Sequence, residues 1–260
     1  MENSTVSYRV SDGVGTITLN RPDVMNAIDA DTHLALQHAL KRADHDPEAR
    51  VIVLTGEGRA FCAGGDIKGM QGKTAFGDPS RVLSVGRDLI DLLVRTETPL
   101  IAKVNGSAIG LGATIALYCD VVCMDEEARI GDRHVNVGLV AGDGGAAIWP
   151  LLVGPAKAKE MLMTGRLISG KEAETMGLIA YALPGKELDS KVQEIADELK
   201  ALPPYAVKAT RASVNKLIQE ATSSVLDLSL AYEHLSMKTN DHQEAVSAFI
   251  EKRPGNYHGY

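Results

Sequence analysis

The spacing of apolar positions changes twice within the first 55 residues. Gly15, Ile17 and Leu19 alternate with Thr16 and Thr18, the period of two expected of a half-buried strand. Together with residues 8–10 this stretch predicts a hairpin about Asp12 and Gly13, closed off by Arg21-Pro22. Next, Leu34, Ala35, Leu36, Ala39 and Leu40 supply the apolar surface of a helix that Asp29 or Asp31 caps and that runs to about Asp44. Residues 50–55 end in VIVLT, a β-branched run suited to a strand covered on both faces. Residues 100–104 and 121–124 are further strands, separated by a Gly-rich turn and a helix ending near Tyr118. Strand, helix and strand in repetition predict an α/β fold with a mainly parallel sheet.

From Lys186 onward the pattern becomes helical, with candidate helices at 188–200, 206–221, 225–238 and 242–250; Pro203-Pro204 separates the first two. The expected division is an α/β core over 1–198 and a helical region over 199–260. Residues 71–80 (QGKTAFGDPS) are polar and Gly-rich, the best candidate for a mobile loop.

The chain of 260 residues is 45% hydrophobic, enough for a sizeable core, and carries a net charge of −7 with both signs interspersed. The absence of any Lys/Arg block argues against nucleic acid as a partner. Cys62, Cys119 and Cys123 have no disulfide-framework spacing and read as reduced, mostly buried thiols. MENSTVSYRV lacks the pattern of a secretory signal, and no stretch approaches the roughly 20 apolar residues needed to span a bilayer. The expectation is a soluble cytoplasmic protein away from membranes. No His/Cys/Asp cluster has zinc spacing, so no metal is expected.

Two Gly-rich segments follow strands and open toward helices, FCAGGDIKGM (61–70) and NGSAIGLGATIALYCD (105–120). Such turns leave N–H groups unpaired at a helix start, and glycine lets a ligand approach the backbone. Two N–H groups aimed at one carbonyl oxygen form an oxyanion hole; each turn by itself is more often structural. Neither GxxxxGK with a following Ser or Thr nor GxGxxG is present, which argues against a phosphate or dinucleotide loop.

The first segment resembles the crotonase-superfamily pattern F-x-A-G-x-D, Ile or Leu, K, and the second resembles its N-G-x-A-x-G-G-G-x-E-L-A-x-x-C-D. LNRPDVMNAID, MLMTGRLISGKEAETMGLI and EAVSAFIEKRPG resemble further segments of the same family, in order and over about the full length. The resemblance implies a spiral of ββα units, a helical C-terminal region that builds homotrimers or homohexamers, and a CoA thioester as substrate with no separate cofactor. It implies that Gly65 and Leu111 donate N–H groups to the thioester carbonyl, Leu111 standing where glycine is usual. It places the CoA moiety along Val24, Ala27, Ala63, Asp66 and Ile67.

The sequence departs from the hydratases of that family at both glutamates. Thr114 fills the first position; it reads as a helix-packing residue and counts among the substrate-binding positions. His134 fills the second. Asp143, nine residues on, lies where dihydroxynaphthoyl-CoA synthases carry a site aspartate, and His134 with Asp143 resembles the pair in 6-oxocamphor hydrolase. His and Asp together can move protons or activate water. Glu233, within LSLAYEHL, is similar in position to a functional glutamate of that hydrolase but reads as a solvated-face charge. Asp132 reads as a surface or capping carboxylate, Trp149 and Pro150 as core and turn, and His33, His38 and His45 as a polar helix face. The leading expectation is a hydratase/isomerase-like lyase acting on an acyl-CoA through an enolate. The alternatives are a CoA-independent β-diketone hydrolase and a scaffold that kept the fold.

Overall fold

The computed structural model describes residues 5–67 and 79–259. Two sheets organise the chain. The strands of the first are β1 (Val6–Ser11), β2 (Val14–Leu19), β3 (Val51–Gly56), β5 (Leu100–Val104), β7 (Val121–Asp125) and β10 (Tyr181–Leu183), in the order β1-β2-β3-β5-β7-β10. β1 and β2 form the expected hairpin, with Asp12 and Gly13 at positive φ in its turn, and every later pairing is parallel. The second sheet has the order β4 (Ala60–Cys62), β6 (Ser107–Ile109), β8 (Arg129–Gly131) and β9 (Ile168–Ser169). Its strands have two or three residues each, too few to show a hydrophobic period.

The two-sided burial expected of VIVLT is found. Ile52 and Leu54 face the main core with Ile17, Leu19 and Leu36 from α1 (Ala30–Asp44). Val51 and Val53 face Leu188, Val192 and Ile195 of α6 (Gly185–Ala201). Asp29 caps α1 by accepting the Thr32 N–H at 2.8 Å. α2 (Pro79–Arg95), which the sequence pattern did not predict, brings Leu89, Ile90 and Leu93 into the core. The proposed loop at 71–80 lies outside the described residues except for Pro79 and Ser80, which open α2.

Two helical expectations are corrected. The candidates at 206–221 and 225–238 are one continuous helix, α7 (Pro204–Ser236). Two of the three hydroxyls between them point to partners instead of breaking the helix: Thr222 shares a 3.1 Å bond with the Tyr118 hydroxyl, and Ser224 donates to the Ala221 carbonyl. Pro150 lies inside α4 (Gly145–Thr164) and not in a turn; the kink comes later, at Gly154, whose φ is 76°. Trp149 is fully buried, as expected. The chain is completed by α3 (Leu111–Leu117), α5 (Gly170–Thr175) and α8 (Asn240–Glu251). All three cysteines are buried thiols, and burial pushes the pKa of each up. Among the described residues no helix is long and apolar enough to cross a membrane.

Candidate functional site

β4, β6 and β8 are parallel neighbours, and the segments leaving their carboxyl ends meet around a cavity of about 530 Å³. Parallel strands release their chains on one side, so loops from different strands converge there. Gly64 and Gly65 come from β4, Gly110 and Leu111 from β6, and Asp132 and His134 from β8. The first two loops touch closely. A Cβ on Gly112 would lie 2.4 Å from the Cys62 carbonyl oxygen, and Gly64 combines a φ of +90° with a clash against the Ile109 carbonyl. Glycine is required at both positions.

Gly65 and Leu111 both line this cavity. The bridge between Ile28 and Gly65 uses the Gly64 carbonyl and the Asp66 N–H, so Gly65 N–H has no part in it. Leu111 is the first residue of α3, where an N–H has no intrahelical acceptor. Of the other positions named from sequence, Ala63 and Ile67 line the cavity. Val24 is exposed, in the turn Pro22–Val24; Ala27 is buried, its carbonyl accepting from Arg21; and Asp66 pairs with Arg21 at 3.5 Å. Thr114 is fully buried behind the wall, its hydroxyl donating to Asp143 Oδ1 at 3.2 Å.

His134 and Asp143 do meet: Nε2 lies 3.2 Å from Asp143 Oδ2. His134 opens the single turn His134–Val137, and Asp143 precedes α4 in a loop of glycines. Asp132 is a correction. It is not a surface carboxylate but is 1% exposed, and its Oδ1 accepts both the His134 N–H at 3.1 Å and Nδ1 at 2.7 Å. The imidazole therefore sits between two carboxylates. Burial alone would lower its pKa, but Asp132 and Asp143 more than offset that and hold it well above 6.5. Burial would raise Asp143, yet His134 and the Thr114 hydroxyl keep it below the usual carboxylate value.

Two further residues join the site against expectation. Glu233 is no solvated-face charge: it is 6% exposed, lines the cavity, and burial with the Asp143 charge pushes its pKa up to about 8. His33 also lines the cavity and is 2% exposed; burial lowers it to about 4, with Asp143 and Asp88 opposing. The sequence carried a signal for both. Leu226, Leu230 and Glu233 share a face at helical spacing, as do His33, Leu36 and Leu40.

Asp132, His134 and Asp143 lie within the 4.8 Å that a shared cation would need. Yet Nδ1 and Nε2 are directed to different carboxylates, and a cation would have to displace one of them. The donor set reads better as an ion-pair chain.

The family model described as enoyl-CoA hydratase/isomerase matches residues 9–260. The chain is 32% identical to crotonyl-CoA hydratase of Syntrophomonas wolfei, with 94% of each chain covered. It is also 32% identical to 1,2-epoxyphenylacetyl-CoA isomerase of Escherichia coli, over 96% of this chain and 97% of the relative. Among solved structures, an enoyl-CoA hydratase/isomerase from Mycobacterium paratuberculosis superposes with a TM-score of 0.88 at 34% identity, covering 94% of this chain and 98% of that one. With two glycine-built loops facing one cavity and this match over nearly its whole length, the chain belongs to the enoyl-CoA hydratase/isomerase family of the crotonase superfamily.

Proposed function

We propose that the protein acts on an acyl-CoA thioester through an enolate. In this reading the thioester oxygen accepts from the N–H groups of Gly65 and Leu111. Asp143, fixed by His134 and Thr114, receives the proton that the reaction releases. The observation that carries the reading is that Gly65, Leu111 and Asp143 line a single cavity. An N–H pair stabilises negative charge as it develops on the carbonyl, and a carboxylate in the same enclosure completes the chemistry. The CoA part would extend past Ala63 and Ile67 toward Val24, Ala27 and Asp66, arriving as part of the substrate. The relatives are named for hydratase and isomerase reactions, which accords with an enolate common to both.

A panel of crotonyl-CoA, longer enoyl-CoAs and cyclic 1,3-diketones, assayed side by side, tests it. Turnover should be confined to thioesters, and Asp143→Asn should lower kcat by about 10²- to 10⁴-fold. Turnover of the diketones alone would overturn the CoA reading. That outcome would favour a β-diketone hydrolase, a second reading supported by the direct His134–Asp143 contact in the absence of both hydratase glutamates.

A further inference from the structure

Asp132, His134 and Asp143 provide only half of an acid–base reaction. Carboxylates accept hydrogen bonds, so an imidazole placed between two of them carries a proton on each nitrogen and keeps no open lone pair. The acceptor left to the substrate is Asp143. A proton donor has to come from another part of the cavity.

Glu233 enters the cavity from α7. Its Oε2 is enclosed, has no hydrogen-bond partner among the described residues, and packs beside Gly142, where a Cβ would lie 2.5 Å from that oxygen. α7 also secures this loop through the Ser229 hydroxyl, which donates to the Gly142 carbonyl at 2.9 Å. Glu233 thus sits against the residue that precedes Asp143. The charges acting on it are Asp143 and Asp132, which oppose ionisation, and His134, which favours it. Among the described residues, the other ionisable ones lining the cavity are His33, Arg133, Arg253 and Tyr257; Arg133 is held by Asn136, and Arg253 by Glu244 and Glu251. A buried carboxyl among like charges holds its proton at neutral pH, while Asp143 stays ionised. Two carboxyls pushed apart in this way divide the roles of acid and base.

We propose that Glu233 is the catalytic acid of this site and Asp143 its base, with His134 a positioning residue that fixes and polarises Asp143. The proposal rests on the acyl-CoA reading for the identity of the electrophile. In hydration, a water oxygen bonds to the β-carbon of an enoyl thioester while Asp143 takes one of its protons. The C=C electron pair moves toward the thioester carbonyl, where Gly65 and Leu111 hold the enolate oxygen. Glu233 gives its proton to the α-carbon and becomes a carboxylate. The proton on Asp143 then returns to Glu233 through solvent, so one water has been added and both groups are restored. In hydrolysis of a 1,3-diketone the same acid would protonate the carbon released as an enolate.

The test uses wild-type protein, Glu233→Gln and Glu233→Asp on whichever class of the substrate panel the wild type turns over. Wild-type kcat should fall as pH rises through about 8, where Glu233 loses its proton. Glu233→Gln should lower kcat by about 10²- to 10⁴-fold with KM changed far less, and should lose the alkaline limb. Glu233→Asp should restore part of kcat together with an alkaline limb. A Glu233→Gln protein within about threefold of wild type, or one that keeps the limb, overturns the proposal. Turnover of diketones only sinks the CoA reading, and the same two readouts then judge Glu233 separately. Turnover of neither class counts against both.

Discussion

At the scale of single residues, His134 is governed by what lies on its two nitrogens. Asp132 is at 2.7 Å on one side and Asp143 at 3.2 Å on the other, and both carboxylates are almost wholly enclosed. Asp132→Asn keeps an acceptor on Nδ1 but removes the charge. His134 should then titrate at lower pH. A two-dimensional NMR titration of the imidazole reads this directly; an unchanged His134 titration would sink the ion-pair chain. The sequence marks His134 and Asp143 because they stand at motif positions. It does not mark Asp132, since a carboxylate two residues before a histidine looks the same whether it caps a turn or neutralises the ring. Here it does both, accepting the backbone N–H and Nδ1 with one oxygen. Glu233 escaped for a different reason. Its charge suggested solvent, while its helical spacing from Leu226 and Leu230 placed it on the buried stripe.

At the scale of elements, the long strands and the capped helix are legible because each repeats a period over five or more residues. β4, β6 and β8 are not legible, although they build the site. With three residues each they have no room for alternation, and their parallel neighbours come from distant parts of the chain. The continuity of α7 was hidden for a related reason, because the Thr222 hydroxyl is satisfied by Tyr118 from over a hundred residues away. The glycines of the two loops are legible as glycines, but their necessity is tertiary. Gly112→Ala would bring a methyl to 2.4 Å from the Cys62 carbonyl oxygen and 2.7 Å from the Cys62 Cβ, atoms fixed to the β4 backbone and not the far end of a flexible side chain. Overpacking of this kind costs about 1–3 kcal/mol. Urea unfolding should show a loss of that order, and kcat should fall because the Leu111 N–H shifts relative to Gly65. A Gly112→Ala protein of wild-type stability and activity would show that the two loops are not held in contact in solution.

At the scale of the whole molecule, the buried titratable groups set how stability varies with pH. A group whose pKa is raised on folding contributes a loss as pH climbs from its unfolded value to its folded one, because the folded state binds the extra proton. Glu233, raised from 4.5 to about 8, acts this way over that interval, and His134, raised above 6.5, acts the same way from 6.5 upward. His33 has the opposite sign. Lowered from 6.5 to about 4, it makes folding less favourable as pH falls through that range. Between about 4.5 and 6.5 the Glu233 and His33 slopes cancel, which predicts a plateau there. From pH 6.5 to 8, Glu233 removes on the order of 2 kcal/mol at about 1.4 kcal/mol per unit, and His134 removes stability in the same direction. The urea midpoint should therefore be lower at pH 8 than at pH 6, and Glu233→Gln, which has no proton to lose, should make that decline shallower. His33→Gln should in turn replace the plateau with a loss of stability as pH rises from about 4.5 to 6.5, while leaving the alkaline side unchanged. If the wild-type midpoint is the same at pH 6 and pH 8, Glu233 is not held neutral in the fold, and its use as an acid fails with it.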